Sequence, residues 1–300
     1  MGSAAAMAVG FFVFGSQSHA LAVGITTIST TLNSGSITAG NTDFDTAILS
    51  PFVAGGTGGT VTYTVFSDSG CSMNPQDAGT FNIDETTGAV PESNTLSFSS
   101  AGTYYWQAVF SGDVINAAAT SDCSSEQMVV GKASPTLSTA ASPSTGTVGM
   151  NIPALSDTAT VSGGAAPSGS VSFTLNSDAS CATAVAGVSG SGTISGSTAS
   201  YSTSWTPAAA GTYYWIAGYP GDANNTGLTT TCGDSNEQVV VSRAAPTITT
   251  RTSPTSGTVA VAIAPAKDTA TFVGTTSVAP TGSVSFALYS NSTCTTAVGG

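Results

Sequence analysis

Positive charge is scarce in this chain. Its 300 residues include four basic side chains, Lys132, Arg243, Arg251 and Lys267, against sixteen carboxylates, for a net charge of −12. Nucleic-acid binding needs Lys and Arg to replace counterions on phosphate, and four scattered cations form no such track. An anionic membrane surface is excluded on the same ground. Histidine is almost missing: the single one, His19, lies within the first twenty residues, so Ser-His-Asp and Cys-His mechanisms have no base in the rest of the chain. No G-x-x-x-x-G-K-[ST] or G-x-G-x-x-G stands between a strand pattern and a helix pattern, so no nucleotide cofactor is expected. No segment carries a capped apolar i, i+3, i+4 stripe, which excludes substantial helix. Charged residues make up only 7% of the chain. Low charge with abundant Ser, Thr and Gly also describes disordered tracts, but those lack the regular alternation of Val, Phe, Tyr and Ile seen here.

The first segment differs from the rest of the chain. "AAAMAVGFFVF" (residues 4–14) is an apolar run too short to span a bilayer comfortably as a helix. It leads into small-x-small patterns at Ser18-His19-Ala20 and Ala20-Leu21-Ala22. Residues 1–22 therefore read as a signal peptide, although no Lys or Arg precedes Lys132 to supply a basic n-region. Export follows, with no membrane insertion once the signal is removed.

The five cysteines stand at positions 71, 123, 181, 232 and 294. The intervals 71–123 and 181–232 are nearly equal, and the pattern recurs after about 110 residues. A fixed period of that size means tandem domains. Cysteines then pair within a unit, Cys71 with Cys123 and Cys181 with Cys232, while Cys294 takes the first position of a third unit. Zinc lacks both a C-x-x-C pair and histidine partners, whereas disulfides suit an exported chain. "DTA" recurs at Asp45, Asp157 and Asp268, and "EQMVV" (126–130) answers "EQVVV" (237–241). These landmarks place a first domain at 23–131, a second at 132–243 and the first strands of a third at 244–300. The joints "GKASP" and "SRAAP" leave little slack between neighbours.

Alternation supplies the strands. "GTVTYTV" (59–65), "GSVSFTL" (169–175) and "GSVSFAL" (282–288) each turn three large residues to one side, the last through Val284, Phe286 and Leu288. "GTYYWQAVF" (102–110) and "GTYYWIAGY" (211–219) make Tyr104, Trp106, Tyr213 and Trp215 the expected core aromatics. Some seven short strands in about 110 residues, with turns every eight to twelve, describe an all-β chain of tandem β-sandwiches, each with one intradomain disulfide. The run G-T-Y-Y-W…G-D…C…E-Q-x-V-V resembles the bacterial-type immunoglobulin-like repeats of secreted and cell-surface proteins, over residues of about 24–300. In antibody domains a Cys stands where this chain has Trp106 and Trp215. The first unit departs furthest, with "CSMNPQDAGTFNIDETTGAVPESN" (71–94) between its cysteine and its Trp strand.

Carboxylates are the remaining chemical candidates. Asp113 and Asp222 follow the Trp strand, where an Asx side chain caps a turn. Asp45, Asp157 and Asp268, with Glu126 and Glu237, could offer oxygens to calcium at domain junctions, but no D-x-[DN]-x-[DN]-G run supports it, and no metal site is assigned. Asp84-Glu85 reads as a solvated pair. Asn224 and Asn291 sit in N-x-[ST] sequons. The resemblance implies a non-enzymatic stalk, adhesin or matrix component. Its partners would be surface proteins or glycans, held weakly and multivalently, together with neighbouring immunoglobulin-like repeats. Two other expectations stand beside it. One is an accessory module of a secreted hydrolase, gripping polysaccharide through Tyr105 and Tyr214. The other is a filament subunit whose extended segment completes a neighbour's sheet.

Overall fold

The computed structural model describes residues 25–274 and 276–299, so the expected signal peptide lies outside the described residues. The chain divides into two compact units, one ending at Gly131 and the other beginning at Lys132. No helix among the described residues is long and apolar enough to cross a membrane.

The first unit contains β1 (Thr27–Leu32), β2 (Ser36–Thr38), β3 (Thr42–Asp43), β4 (Asp45–Ser50), β5 (Thr60–Phe66), β6 (Gln76–Asn82), β7 (Leu96–Ser97), β8 (Gly102–Phe110), β9 (Ala119–Thr120) and β10 (Gln127–Gly131). One layer is the antiparallel pair β1-β4. The other is a sheet in the order β2-β10-β8-β5-β6, with β9 on β8, while β3 and β7 form a short pair of their own. β2 runs parallel to β10.

The second unit repeats the plan with β11 (Thr136–Ser142), β12 (Thr145–Thr147), β13 (Ile152–Ser162), β14 (Ser170–Asn176), β15 (Ala184–Thr193), β16 (Thr198–Trp205), β17 (Gly211–Tyr219), β18 (Leu228–Thr229) and β19 (Gln238–Ser242). Here the layers are β11-β13-β16 and β12-β19-β17-β14-β15, with β18 on β17. This is the two-sheet order of an immunoglobulin-like sandwich. One turn of 3-10 helix, Ser235–Glu237, precedes β19.

Alternation decides which face is core, because successive strand residues point to opposite sides. Val61, Tyr63 and Val65 of β5 are fully buried, as are Trp106, Ala108 and Phe110 of β8. Val171, Phe173 and Leu175 of β14 and Trp215, Ala217 and Tyr219 of β17 match them in the second unit. Register sets Val65 opposite Trp106 and Leu175 opposite Trp215. In domains rich in Ser, Thr and Gly, these aromatics supply most of the buried apolar mass.

The two units differ where their sequences diverge. β16 is eight residues long and completes the β11-β13 layer. In the first unit the corresponding stretch, "IDETTGAVPESN" (83–94), breaks alternation with Gly and Pro. No strand forms there beyond an isolated bridge from Ala89 to Ile48, and the short β7 follows it, so β1 and β4 stand as a two-stranded layer.

The third repeat is the main correction. β20 (Thr247–Ser253) and β21 (Lys267–Val273) pair antiparallel, and every residue of β20 is exposed. Residues 282–288, expected as a core strand, form none: Val284, Phe286 and Leu288 are 36%, 52% and 68% exposed. A strand needs a neighbour's N–H and C=O groups along its length, and among the described residues this stretch is met only at its end, where the Leu288 carbonyl accepts from the Val298 amide.

Candidate functional site

Several polar groups repeat between the two units, from the strand ends inward. Cys71 bonds Cys123 and Cys181 bonds Cys232, with Cα–Cα distances of 5.8 and 5.9 Å. Cys294 is free and exposed. Each first cysteine adopts a left-handed backbone, φ 49° at Cys71 and 53° at Cys181. That conformation costs a non-glycine residue energy unless neighbours fix it. An Asp three positions earlier does so. Asp68 accepts hydrogen bonds from the amides of Gly70, Ser72 and Met73. Asp178 accepts from the amides of Ser180, Ala182 and Thr183. These bonds, led by the Met73 amide and the Ser180 hydroxyl, hold both carboxyls below the ordinary carboxylate range. The D-x-x-C spacing was present in the sequence as the signal for this cap. Asn291 fills the same place before Cys294, accepting from the amides of Thr295 and Thr296 and donating to the hydroxyls of Thr293 and Thr295. Its sequon nitrogen is thus engaged within the loop.

Trp106 and Trp215 are completely buried, but Tyr104 and Tyr213 are only half-buried, their hydroxyls reaching out of the core. Each hydroxyl donates to a carbonyl four residues upstream, Tyr104 to Ser100 at 3.1 Å and Tyr213 to Ala209 at 2.9 Å. This is the tyrosine corner of immunoglobulin-like folds. An aromatic ring meets each corner edge-on: Phe98 against Tyr104 at 4.9 Å, Trp205 against Tyr213 at 4.8 Å. Tyr105 and Tyr214, expected as exposed grips, are half-covered by cross-strand neighbours.

Asp113 and Asp222 cap their turns. Asp113 accepts from the amides of Ile115 and Asn116, and Asp222 from those of Asn224 and Asn225. Each turn also carries a buried Asn that sequence reasoning alone did not single out. Asn116 receives the Val53 amide at 2.9 Å and donates to the Val53 carbonyl at 2.8 Å. Asn225 makes the same two-way bond with Ala165, at 2.8 and 2.9 Å. Two distant loops are clamped to each other in each unit. Asn224 of the first sequon lies in this clamp, its carbonyl accepting from the Ala133 amide.

The repeated acids sit between the sheets. Asp45 and Asp157 are fully buried, Glu237 is 1% exposed and Glu126 is half-buried. Burial pushes Asp45 up to about 7, and the Glu126 charge adds to the rise. Burial likewise raises Asp157 and Glu237, which lie close enough to hydrogen-bond each other. Neither oxygen of Asp157 nor of Glu237 receives a donor in good geometry, and the same is true of Asp45 Oδ2. Glu126 accepts the Leu32 amide at 3.1 Å. Asp268 of the third repeat is partly exposed. Among the described residues, no three His, Cys, Asp or Glu side chains converge to hold a metal ion. A polar cleft of about 390 Å3, lined by Thr139, Thr231, Asp234, Asn236 and Glu237 among others, opens beside the second acid pair.

No family model matches the chain, and no curated protein does. Among solved structures, the adhesin InvE of Yersinia pseudotuberculosis is similar at 16% identity over 71% of this chain and 58% of that one, with a TM-score of 0.32. A red sea bream transglutaminase is similar at 10% identity over 72% of this chain and 31% of that one, with a TM-score of 0.31. The chain thus spans less than two thirds of either.

Proposed function

We propose that the chain is a non-enzymatic structural or adhesive segment of a secreted or cell-surface protein, built of immunoglobulin-like repeats. It acts through reach and through weak, multivalent contacts with surface proteins or glycans. One observation carries this reading. The side chains that the two units have in common are spent on holding the sandwich: the disulfide, its Asp cap, the Trp core, the tyrosine corner, the Asp–Asn clamp and the acid pair. A repeated catalytic or ligand site would instead repeat an outward constellation. Two intradomain disulfides support an oxidising, extracytoplasmic setting.

The test is display. Beads carrying many copies of the chain should adhere to glycan or cell surfaces that the free chain, at the same concentration, does not measurably hold. The same preparation should turn over no polysaccharide or ester. Steady turnover of either would overturn the proposal.

A further inference from the structure

We propose that each sandwich carries a proton-holding acid clasp between its two sheets, Asp157 with Glu237 in the second unit and Asp45 with Glu126 in the first, making it a module most stable in acid that loosens as the pH climbs to neutrality and above. The geometry comes first. Asp157 lies on β13 in one layer, and Glu237 immediately precedes β19 in the other. Asp45 on β4 and Glu126 just before β10 hold the corresponding places. The pairs therefore bridge the layers.

Asp157 and Glu237, adjacent and out of water, cannot both stay ionised without a cation between them; in the first pair Asp45 is the buried member and Glu126, half-buried, acts on it through its charge. The groups facing the second pair are Asp234, the Thr139 hydroxyl and the more distant amides of Thr158 and Ala140, with Ala141 and Tyr201 as strand neighbours of Asp157. Those facing the first are Asp43, the Tyr63 hydroxyl, the amides of Thr46 and Thr31 and, through Tyr63, Glu92, with the Leu32 amide and the Thr30 hydroxyl beside Glu126. Every charged group among them is another acid. The four donorless oxygens of Asp157 and Glu237 complete the argument, since one bound proton turns a repelling pair into an inter-sheet hydrogen bond. A polar cleft lined in part by Glu237 opens beside the pair.

The direction comes from linkage. An acid whose pKa is raised by folding keeps protons in the folded chain that the unfolded chain releases, so stability falls as pH climbs between the two pKa values. For Asp45 the window runs from the ordinary value of about 4 to about 7. The second pair is shifted in the same direction.

The experiment is thermal and denaturant unfolding of the full chain from pH 4 to 9, at constant ionic strength, with EDTA and separately with calcium. The unfolding constant of each unit should rise with pH, approaching about tenfold per pH unit where one proton is released. Asp157→Asn combined with Glu237→Gln should flatten that slope for the second unit and leave the first unit's slope intact. Infrared spectra of the unmodified chain should show a protonated carboxyl band at pH 6 that is gone by pH 9. A flat or rising stability profile would overturn the proposal. So would a slope that survives the double substitution, absence of the infrared band at pH 6, or calcium abolishing the slope, which would make the pair a cation site. If the double variant does not fold, the infrared titration decides alone.

Discussion

Trp215→Ala is the sharpest probe of the core. The indole is completely buried in the second sandwich, with Leu175 opposite it and the Tyr201 ring edge-on at 6.2 Å. Removing so large a side chain loses its transfer free energy and leaves a cavity, together about 3–5 kcal/mol. For a domain of this size that lowers Tm by roughly 15–25 °C. The indole Nε1–H, however, is buried without an acceptor. An orphaned donor costs about 1–3 kcal/mol, and Trp215→Phe removes it while keeping most of the ring. The phenylalanine variant should therefore lie within about 1.5 kcal/mol of the parent. Calorimetry of the full chain should show one transition moving sharply in the alanine variant and little in the phenylalanine variant, with the first unit's transition fixed. Equal losses in both variants would refute the packing argument. A shift of both transitions together would refute independent cooperativity of the units.

Replacing Cys181 and Cys232 by Ser frees a loop of 51 residues and should lower stability by about 4 kcal/mol on the loop-entropy account, read as a lower urea midpoint for that unit alone. Asp178→Ala removes the amide cap around Cys181, so the Cys181–Cys232 bond should be reduced by dithiothreitol faster than Cys71–Cys123. Gly192 lies where a Cβ would stand 2.2 Å from the Ser200 carbonyl oxygen. Gly192→Ala should cost about 1–3 kcal/mol by overpacking in chemical denaturation, and a neutral result would mean that β15 and β16 stand farther apart than this approach requires.

Much of the fold was legible along the chain because its signals are local. Strand alternation has a period of two and needs no knowledge of partners, so Val171, Phe173 and Leu175 identified their own face. The cysteine period fixed both disulfides, since a repeated spacing leaves only pairings within a unit. The Asp113 and Asp222 caps were likewise readable, because an Asx turn closes over two or three residues. Tertiary structure decided whatever depends on a distant partner. Residues 282–288 carry the same alternation as 169–175, yet only the latter becomes a strand, because β17 and β15 flank it. Phe98 and Trp205 take their places against the tyrosine corners only when the sheets close. Asp157 and Glu237 stand some eighty positions apart in the sequence. Along the sequence they read as oxygens that calcium could use at a domain junction, and only burial between two layers makes them neighbours. Local chemistry writes the strands and the turns; what a carboxyl or an aromatic ring does depends on what the opposite sheet brings to it.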